Sequence, residues 1–163
     1  MFIKAIYKDK GAVAVRYPRG VAGETPEDYT YEKEEASVFG DKNAENCIVS
    51  YGREFCACYK AYKQLDDTFL IKLNQIKPIS LSTVMLASQA KKVFFFEESV
   101  KSGSVGETFA ALLEELGIQT EFHHIAVNDE FIKQASVASQ MKKYRLDTQG
   151  VLEVVRGEEQ NKA

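Results

Sequence analysis

The sequence predicts an α/β protein, a three-layer αβα sandwich around a mostly parallel sheet. Three observations carry this expectation. From Asn46 onward, strand-like and helix-like segments alternate in the order βαβαβαβα, the pattern of parallel strands joined by helical crossovers. Val93-Phe94-Phe95-Phe96 is wholly apolar, as befits a central strand covered by helices on both faces. Val105, Phe109, Leu112, Leu113 and Leu116 recur on one helical face, which gives that helix a core side.

Taken in order, residues 2–9 read as the tail of a helix, with Phe2, Ile3 and Ile6 on one side. Gly11 turns the chain into Ala12-Val13-Ala14-Val15-Arg16, read as a short buried strand. A helix end and one strand have no sheet of their own, so a fragment of a longer polypeptide is expected. Residues 21–44 read as a linker. Six acidic residues and one lysine lie between Glu24 and Glu35, and such charge runs are usually solvated. Within this stretch, Ala36 to Phe39 is expected to form a hairpin with the strand after Asn46, turned at Gly40-Asp41-Lys42-Asn43.

Cys47 to Tyr51 is then a strand, and residues 53–65 a helix with Phe55, Tyr59 and Tyr62 at helical spacing. Thr68 to Leu73 is a strand, residues 81–90 a helix, and Val93 to Phe96 the central strand. Ser104 and Glu107 form a capping box at the start of the next helix, which Gly117 ends. Thr120 to Val127 is a further strand. A helix over Val137 to Tyr144 turns Val137, Met141 and Tyr144 inward, and residues 148–156 form a last helix.

The 163 residues are 45% hydrophobic and 28% charged, ordinary for a globular chain with a core. A net charge of −3 without a basic cluster speaks against nucleic acid as a partner. No apolar run is long enough to span a bilayer, and Met1-Phe2-Ile3-Lys4 does not open a signal peptide. A cytoplasmic location with no membrane partner is expected. Cys47, Cys56 and Cys58 do not pair evenly. Cys56 and Cys58 diverge on a helix, and no fourth cysteine supports a zinc site, so small buried apolar residues are expected.

Four places could carry chemistry. In Arg16-Tyr17-Pro18-Arg19-Gly20, proline extends Tyr17 and glycine permits a sharp exit. Arg19 is thereby delivered at a strand's carboxyl end, where its planar guanidinium suits a phosphate; the alternative is a surface ion pair. Glu97 and Glu98 follow the apolar strand and must point to opposite faces, so they are no acid–base pair on one substrate. One of them is expected to cap the following helix or to pair across a subunit interface. Ser102-Gly103-Ser104-Val105-Gly106 opens a helix without the fuller phosphate-loop signature, and tight packing is expected there. His123 and His124 also face opposite sides, one buried against a helix and one outward, and cannot jointly chelate a metal.

Arg-Tyr-Pro-Arg-Gly at 16–20 resembles the end of the middle, pyrimidine-binding domain of the 1-deoxy-D-xylulose-5-phosphate synthase family, thiamine diphosphate enzymes of the transketolase superfamily. Further elements of that family's C-terminal domain follow in order. They are Ile48-Val49-Ser50-Tyr51-Gly52, Ile76-Lys77-Pro78-Ile79, and Phe95-Phe96-Glu97-Glu98-Ser99-Val100 with Gly103 and Gly106. Asn128-Asp129-Glu130-Phe131-Ile132 and Leu146-Asp147-Thr148-Gln149-Gly150-Val151 resemble its closing elements. Asn128 stands where the family has proline, Gln134-Ala135-Ser136 where it usually has a glycine-containing turn, and the 101–104 turn holds fewer glycines.

The resemblance implies residues 1–20 as the tail of the middle domain, 21–44 as linker and 45–163 as the transketolase C-terminal-like domain. It implies a transferase that joins pyruvate to glyceraldehyde 3-phosphate with loss of carbon dioxide, forming 1-deoxy-D-xylulose 5-phosphate for isoprenoid, thiamine and pyridoxal synthesis. Arg19 matches the arginine that grips the acceptor's phosphate, with Arg16 and Tyr17 shaping the loop. Thiamine diphosphate and Mg²⁺ would bind outside this chain, which lacks the Gly-Asp-Gly segment and the activating glutamate. The chain alone is expected to be inactive and to serve a structural, homodimer-forming role beside the remaining domains. The alternatives are the C-terminal domain of a transketolase or of a 2-oxo-acid dehydrogenase beta subunit acting as a partner-docking module, and a free-standing regulatory subunit.

Overall fold

The computed structural model describes residues 11–15, 17, 26, 29 and 35–157. Among these residues there are five strands and five helices, alternating between an initial pair of strands and a closing pair of helices: β1 (Ala36–Phe39), β2 (Asn46–Tyr51), α1 (Glu54–Tyr62), β3 (Thr68–Leu73), α2 (Leu81–Ala87), β4 (Lys92–Val100), α3 (Val105–Glu115), β5 (Glu121–Val127), α4 (Val137–Lys143) and α5 (Thr148–Arg156). The sheet order is β1-β3-β2-β4-β5. All neighbours are parallel except β1, which runs antiparallel to β3. The three-layer expectation holds.

Strand alternation divides the core into two layers. Cys47, Val49, Phe69, Ile71, Val93 and Phe95 pack under α2 and α3. Ile48, Leu70, Phe94 and Phe96 point the other way, against Phe55 and Cys58 of α1 and Val151 and Leu152 of α5. Phe95 and Phe96 are fully buried on opposite faces, each worth about 1.5–3 kcal/mol of apolar burial. The helix after β2 therefore covers one face and the helix after β4 the other. The carboxyl ends of these adjacent strands form the topological switch point of the sheet.

Local sequence explains the helix ends. Ser104 accepts a hydrogen bond from Glu107 N at 3.2 Å, while Glu107 reaches back to Gly103 N at 2.6 Å, a capping box shifted one residue outward. Ile118 N bonds Leu113 O and Gly117 N bonds Glu114 O, with Gly117 at φ +65°, a Schellman ending that needs glycine. Asp147 caps α5 through Gly150 N at 2.9 Å.

Four expectations are corrected. β1 does not form a hairpin with β2: it pairs with β3, Ala36 opposite Leu73 and Phe39 opposite Leu70. Both sides of β2 are taken by β3 and β4, so β1 is left the outer edge of β3. Ala12 to Val15 form no strand, and Ala12, Val13 and Ala14 are exposed. A single strand has no ladder to join, and among the described residues no strand pairs with it. β4 continues beyond the apolar run to Val100, which pairs with Val127 across an irregularity in register. Val137 is 51% exposed rather than inward, because α4 rests on the core only through Met141 and Tyr144. The expected helix at 2–9 lies outside the described residues.

The sheet begins at Ala36, inside the segment read as linker. Tyr29 packs on this same edge. Its ring stacks with Phe39 and its hydroxyl accepts from Lys72 Nζ at 2.7 Å. At Tyr29 and at Ala36–Phe39 the segment read as linker packs on the domain.

Candidate functional site

The polar residues that the fold gathers lie at the carboxyl ends of β2, β4 and β5. Register explains how. Val49 pairs with Phe95 and Ser50 with Phe96, while Phe95 pairs with His124. Tyr51, Glu97 and His124 thus emerge side by side on the α3 face. Glu97 is fully buried. Its carboxylate accepts from Tyr51 Oη at 2.7 Å, from Gly106 N at 2.9 Å, and lies 2.6 Å from His124 Nε2. Burial pushes its pKa upward, but the bonds from His124, Tyr51, Ser104 and Gly106 N override that and hold it at about 2. Glu97 is a carboxylate clamp joining three strands to the first turn of α3.

Glu98 takes the opposite face, as alternation requires. It meets Arg53, whose Nε lies 3.1 Å from Oε2 and whose Nη2 contacts Oε1. This pair is partly exposed and worth little to stability. His123 also faces away from His124. It stacks on Phe94 with centroids 4.8 Å apart and contacts Glu121 at 2.8 Å. The two histidines are separated by the sheet and share no ligand.

Gly106 explains itself by proximity. A Cβ there would sit 2.6 Å from His124 Cδ2 and 2.7 Å from Glu97 Oε1, so only glycine lets α3 approach the clamp. Gly106→Ala is expected to separate Glu97 from His124 and to cost about 2 kcal/mol. Urea denaturation measures the loss, and an NMR titration should show the Glu97 pKa moving up from its low value.

Beside the clamp, Tyr51, Ser99, Val100 and Ser102 to Val105 line an open crevice of about 260 Å³. Three of its hydroxyls are already engaged: Tyr51 donates to Glu97, Ser99 to Val100 O, and Ser104 caps α3. No nucleophile stands here with a base oriented to activate it. What the arrangement does is hold strand ends and a helix start in fixed relation.

Two residues escaped the sequence reading. Tyr51 was read only as part of a strand, although its register beside Glu97 makes it a donor to the clamp. Glu54 is 1% exposed beneath α1, its pKa pushed up to about 8 by burial and then by Glu98, against the pull of Arg53, with Asp147 adding to the rise. The spacing 54, 58, 61 placed it on one helical face with Cys58 and Ala61, and a charged residue on that face was the available signal.

Cys47 and Cys58 are buried, Cys56 is half-buried, and none forms a disulfide. Burial pushes both the Cys47 and Cys58 thiols well up. Among the described residues no group of three or more His, Cys, Asp or Glu gathers to hold a metal ion. Arg16 and Arg19 lie outside the described residues; Tyr17 is 77% exposed.

The model of the transketolase C-terminal domain matches residues 36–151, from the first strand to the capped start of α5. The chain belongs to this family. Curated relatives include the 1-deoxy-D-xylulose-5-phosphate synthases of Marinomonas sp. strain MWYL1, 30% identical over 148 residues, and of Campylobacter hominis, 31% identical over 137. That of Caldanaerobacter subterraneus is 28% identical over 152 residues. These matches cover 89%, 80% and 88% of this chain but 24%, 23% and 24% of the relatives, so the chain spans about a quarter of their length. A solved structure of a split-gene transketolase, an inactive β4 tetramer, shares the fold at a TM-score of 0.70 and 22% identity, over 85% of this chain and 46% of that one. No described helix is long and apolar enough to cross a membrane.

Proposed function

We propose that this transketolase C-terminal domain is the closing part of a thiamine diphosphate-dependent transferase that condenses pyruvate with glyceraldehyde 3-phosphate into 1-deoxy-D-xylulose 5-phosphate. The observation that carries this reading is that relatives of that name match 80–89% of the chain, beyond the C-terminal domain alone. Thiamine diphosphate supplies the means to decarboxylate pyruvate and pass the remaining two carbons to an aldehyde. This chain's residues do not fit its binding. The sequence holds no Gly-Asp-Gly segment. Glu97 is committed to Tyr51, His124 and Gly106, and Glu54 is buried beneath α1, so neither is placed to hold Mg²⁺. The cofactor and metal belong to the remainder of such an enzyme, in a cytoplasmic homodimer.

Under this reading residues 1–20 close the preceding domain, and Arg19 binds the phosphate of the aldehyde acceptor. The domain's own contribution is structural. The Glu97 clamp keeps the carboxyl edge of its sheet rigid where the other domains would be positioned. The test uses the longest polypeptide that carries this sequence. It should make 1-deoxy-D-xylulose 5-phosphate, whereas the 163-residue chain alone should not. Arg19→Ala should raise the KM for glyceraldehyde 3-phosphate about ten- to hundredfold, the loss of one or two charge-assisted hydrogen bonds, with pyruvate unaffected. Equal losses for both substrates would remove Arg19 from the phosphate role, and an inactive long polypeptide would remove the synthase assignment.

A further inference from the structure

Glu54 plays no part in the function proposed above, yet it is the most unusually placed ionisable group among the described residues. It lies in the first turn of α1 at 1% exposure. Its Oε2 has no hydrogen-bond partner, and neither does the Oγ of fully buried Ser50 on β2. Its Oε1 accepts a long contact from Cys58 Sγ at 4.0 Å. A buried carboxyl with an unsatisfied oxygen is costly, and it calls for an explanation.

The surrounding charges do not offer one. Arg53, just ahead of α1, directs its guanidinium to both oxygens of Glu98 on β4. From β3, Lys72 lies over the Phe55 ring and donates to Tyr29. From α5, the N-cap Asp147 contributes a second negative charge, and its side chain is bonded to Gly150 N. Cys58 on α1 is itself kept neutral by burial. The groups facing Glu54 from β4 and α5 are thus carboxylates, and of the two cations Arg53 is held by Glu98 and Lys72 by Tyr29. An ionised Glu54 could not remain in this place.

We propose that Glu54 is a proton-operated latch on the seam between α1 and α5: neutral, it stays sealed under α1; ionised, it must leave, and the packing of α1 on the C-terminal helix loosens. The exit is short, since Arg53 is the preceding residue and is partly exposed. Glu54 can rotate toward it in competition with Glu98, which uncouples α1 from β4 as well. Two arrangements of one ion pair, selected by one proton, make the element bistable.

The sign follows from linkage. A carboxyl raised from 4.5 to about 8 in the fold binds a proton that the unfolded chain has released. Its folded state therefore loses stability as pH rises from about 4.5 to about 8, and no further above that.

Equilibrium unfolding of the 163-residue chain at about pH 6 and about pH 8 tests this, beside E54Q. The wild-type folding constant should fall about fiftyfold between the two, close to tenfold per pH unit until the midpoint near 8 is approached. E54Q should lack that fall, and contributions of all other groups, common to both proteins, cancel. At about pH 8, hydrogen exchange of the α5 amides should be faster in the wild type than in E54Q at the same pH. The same pH dependence in both proteins would overturn the proposal. So would equal exchange in α5. Should E54Q fail to fold, a carbon-13 titration of the wild-type Glu54 carboxyl decides alone: a midpoint near 8 supports the latch, and one near 4.5 removes it.

Discussion

Glu97→Ala is expected to destabilise the domain by about 3–5 kcal/mol, the cost of removing one partner from a buried, charge-bearing network. Tyr51 Oη, Gly106 N and His124 Nε2 converge on that carboxylate. Each is drawn from a different element. Part of the effect can be read from pH alone. A carboxyl lowered from 4.5 to about 2 contributes stability that is complete above about pH 4.5 and is lost as pH falls toward 2. At about 1.4 kcal/mol per unit that is about 3 kcal/mol. Glu97→Gln should lie between wild type and alanine, since an amide still accepts on one oxygen but turns its NH₂ toward another donor. Urea denaturation at neutral pH measures all three. A loss below about 1 kcal/mol for Glu97→Ala would mean that the clamp does not hold the strands together.

Gly150→Ala should be nearly as damaging, at about 3 kcal/mol, the upper part of the range for overpacking. A Cβ at Gly150 would lie 2.5 Å from Arg145 Cα, 2.7 Å from its carbonyl carbon and 2.8 Å from its oxygen. These are backbone atoms and cannot rotate aside. Arg145 itself sits at φ +57°, so the turn before Leu146 has little freedom to yield. Leu146 and Val151 are buried on either side of Asp147, which caps α5 through Gly150 N. Displacing Gly150 therefore disturbs the cap and the core together. Thermal unfolding followed by circular dichroism gives the loss. Gln149→Ala, one residue away and exposed, is the control and should change stability by less than about 0.5 kcal/mol. Equal behaviour of the two variants would contradict the close approach at Gly150.

The residues that sequence reading placed well are those whose signal is local. The Ser104–Glu107 box, the Gly117 ending and the run Val93–Phe96 depend on neighbours within a turn or a strand, and each appears in the fold where the sequence put it. The opposite facing of Glu97 and Glu98 follows from strand geometry alone, and so it was legible too. The pairing of β1 was not. A short connection favours the next strand, but β2 had two longer apolar neighbours competing for its edges, and that competition is settled only by the whole sheet. The clamp was half legible: Glu97 was expected to serve the helix start, yet its meeting with Tyr51 and His124 depends on the registers of three strands. Glu54 was missed for the opposite reason. Its spacing with Cys58 and Ala61 placed it on the inner face, but a glutamate in the first turn of a helix ordinarily complements the dipole at the surface.

The resemblance read from Leu146-Asp147-Thr148-Gln149-Gly150-Val151 now has a physical content: a buried anchor, a cap, and a glycine forced by backbone contact. The same holds for Gly106 beside Glu97. Such motifs mark how the domain is built, and they explain why the family is recognisable here while catalytic groups are not.

The most direct test of the central reading is the intact mass of the native protein that carries this sequence, together with its bound cofactor. If the chain is the closing domain of a synthase, the native product is several times larger than 18.3 kDa and carries thiamine diphosphate. A native product of 18.3 kDa that associates with no thiamine diphosphate-binding partner would contradict it.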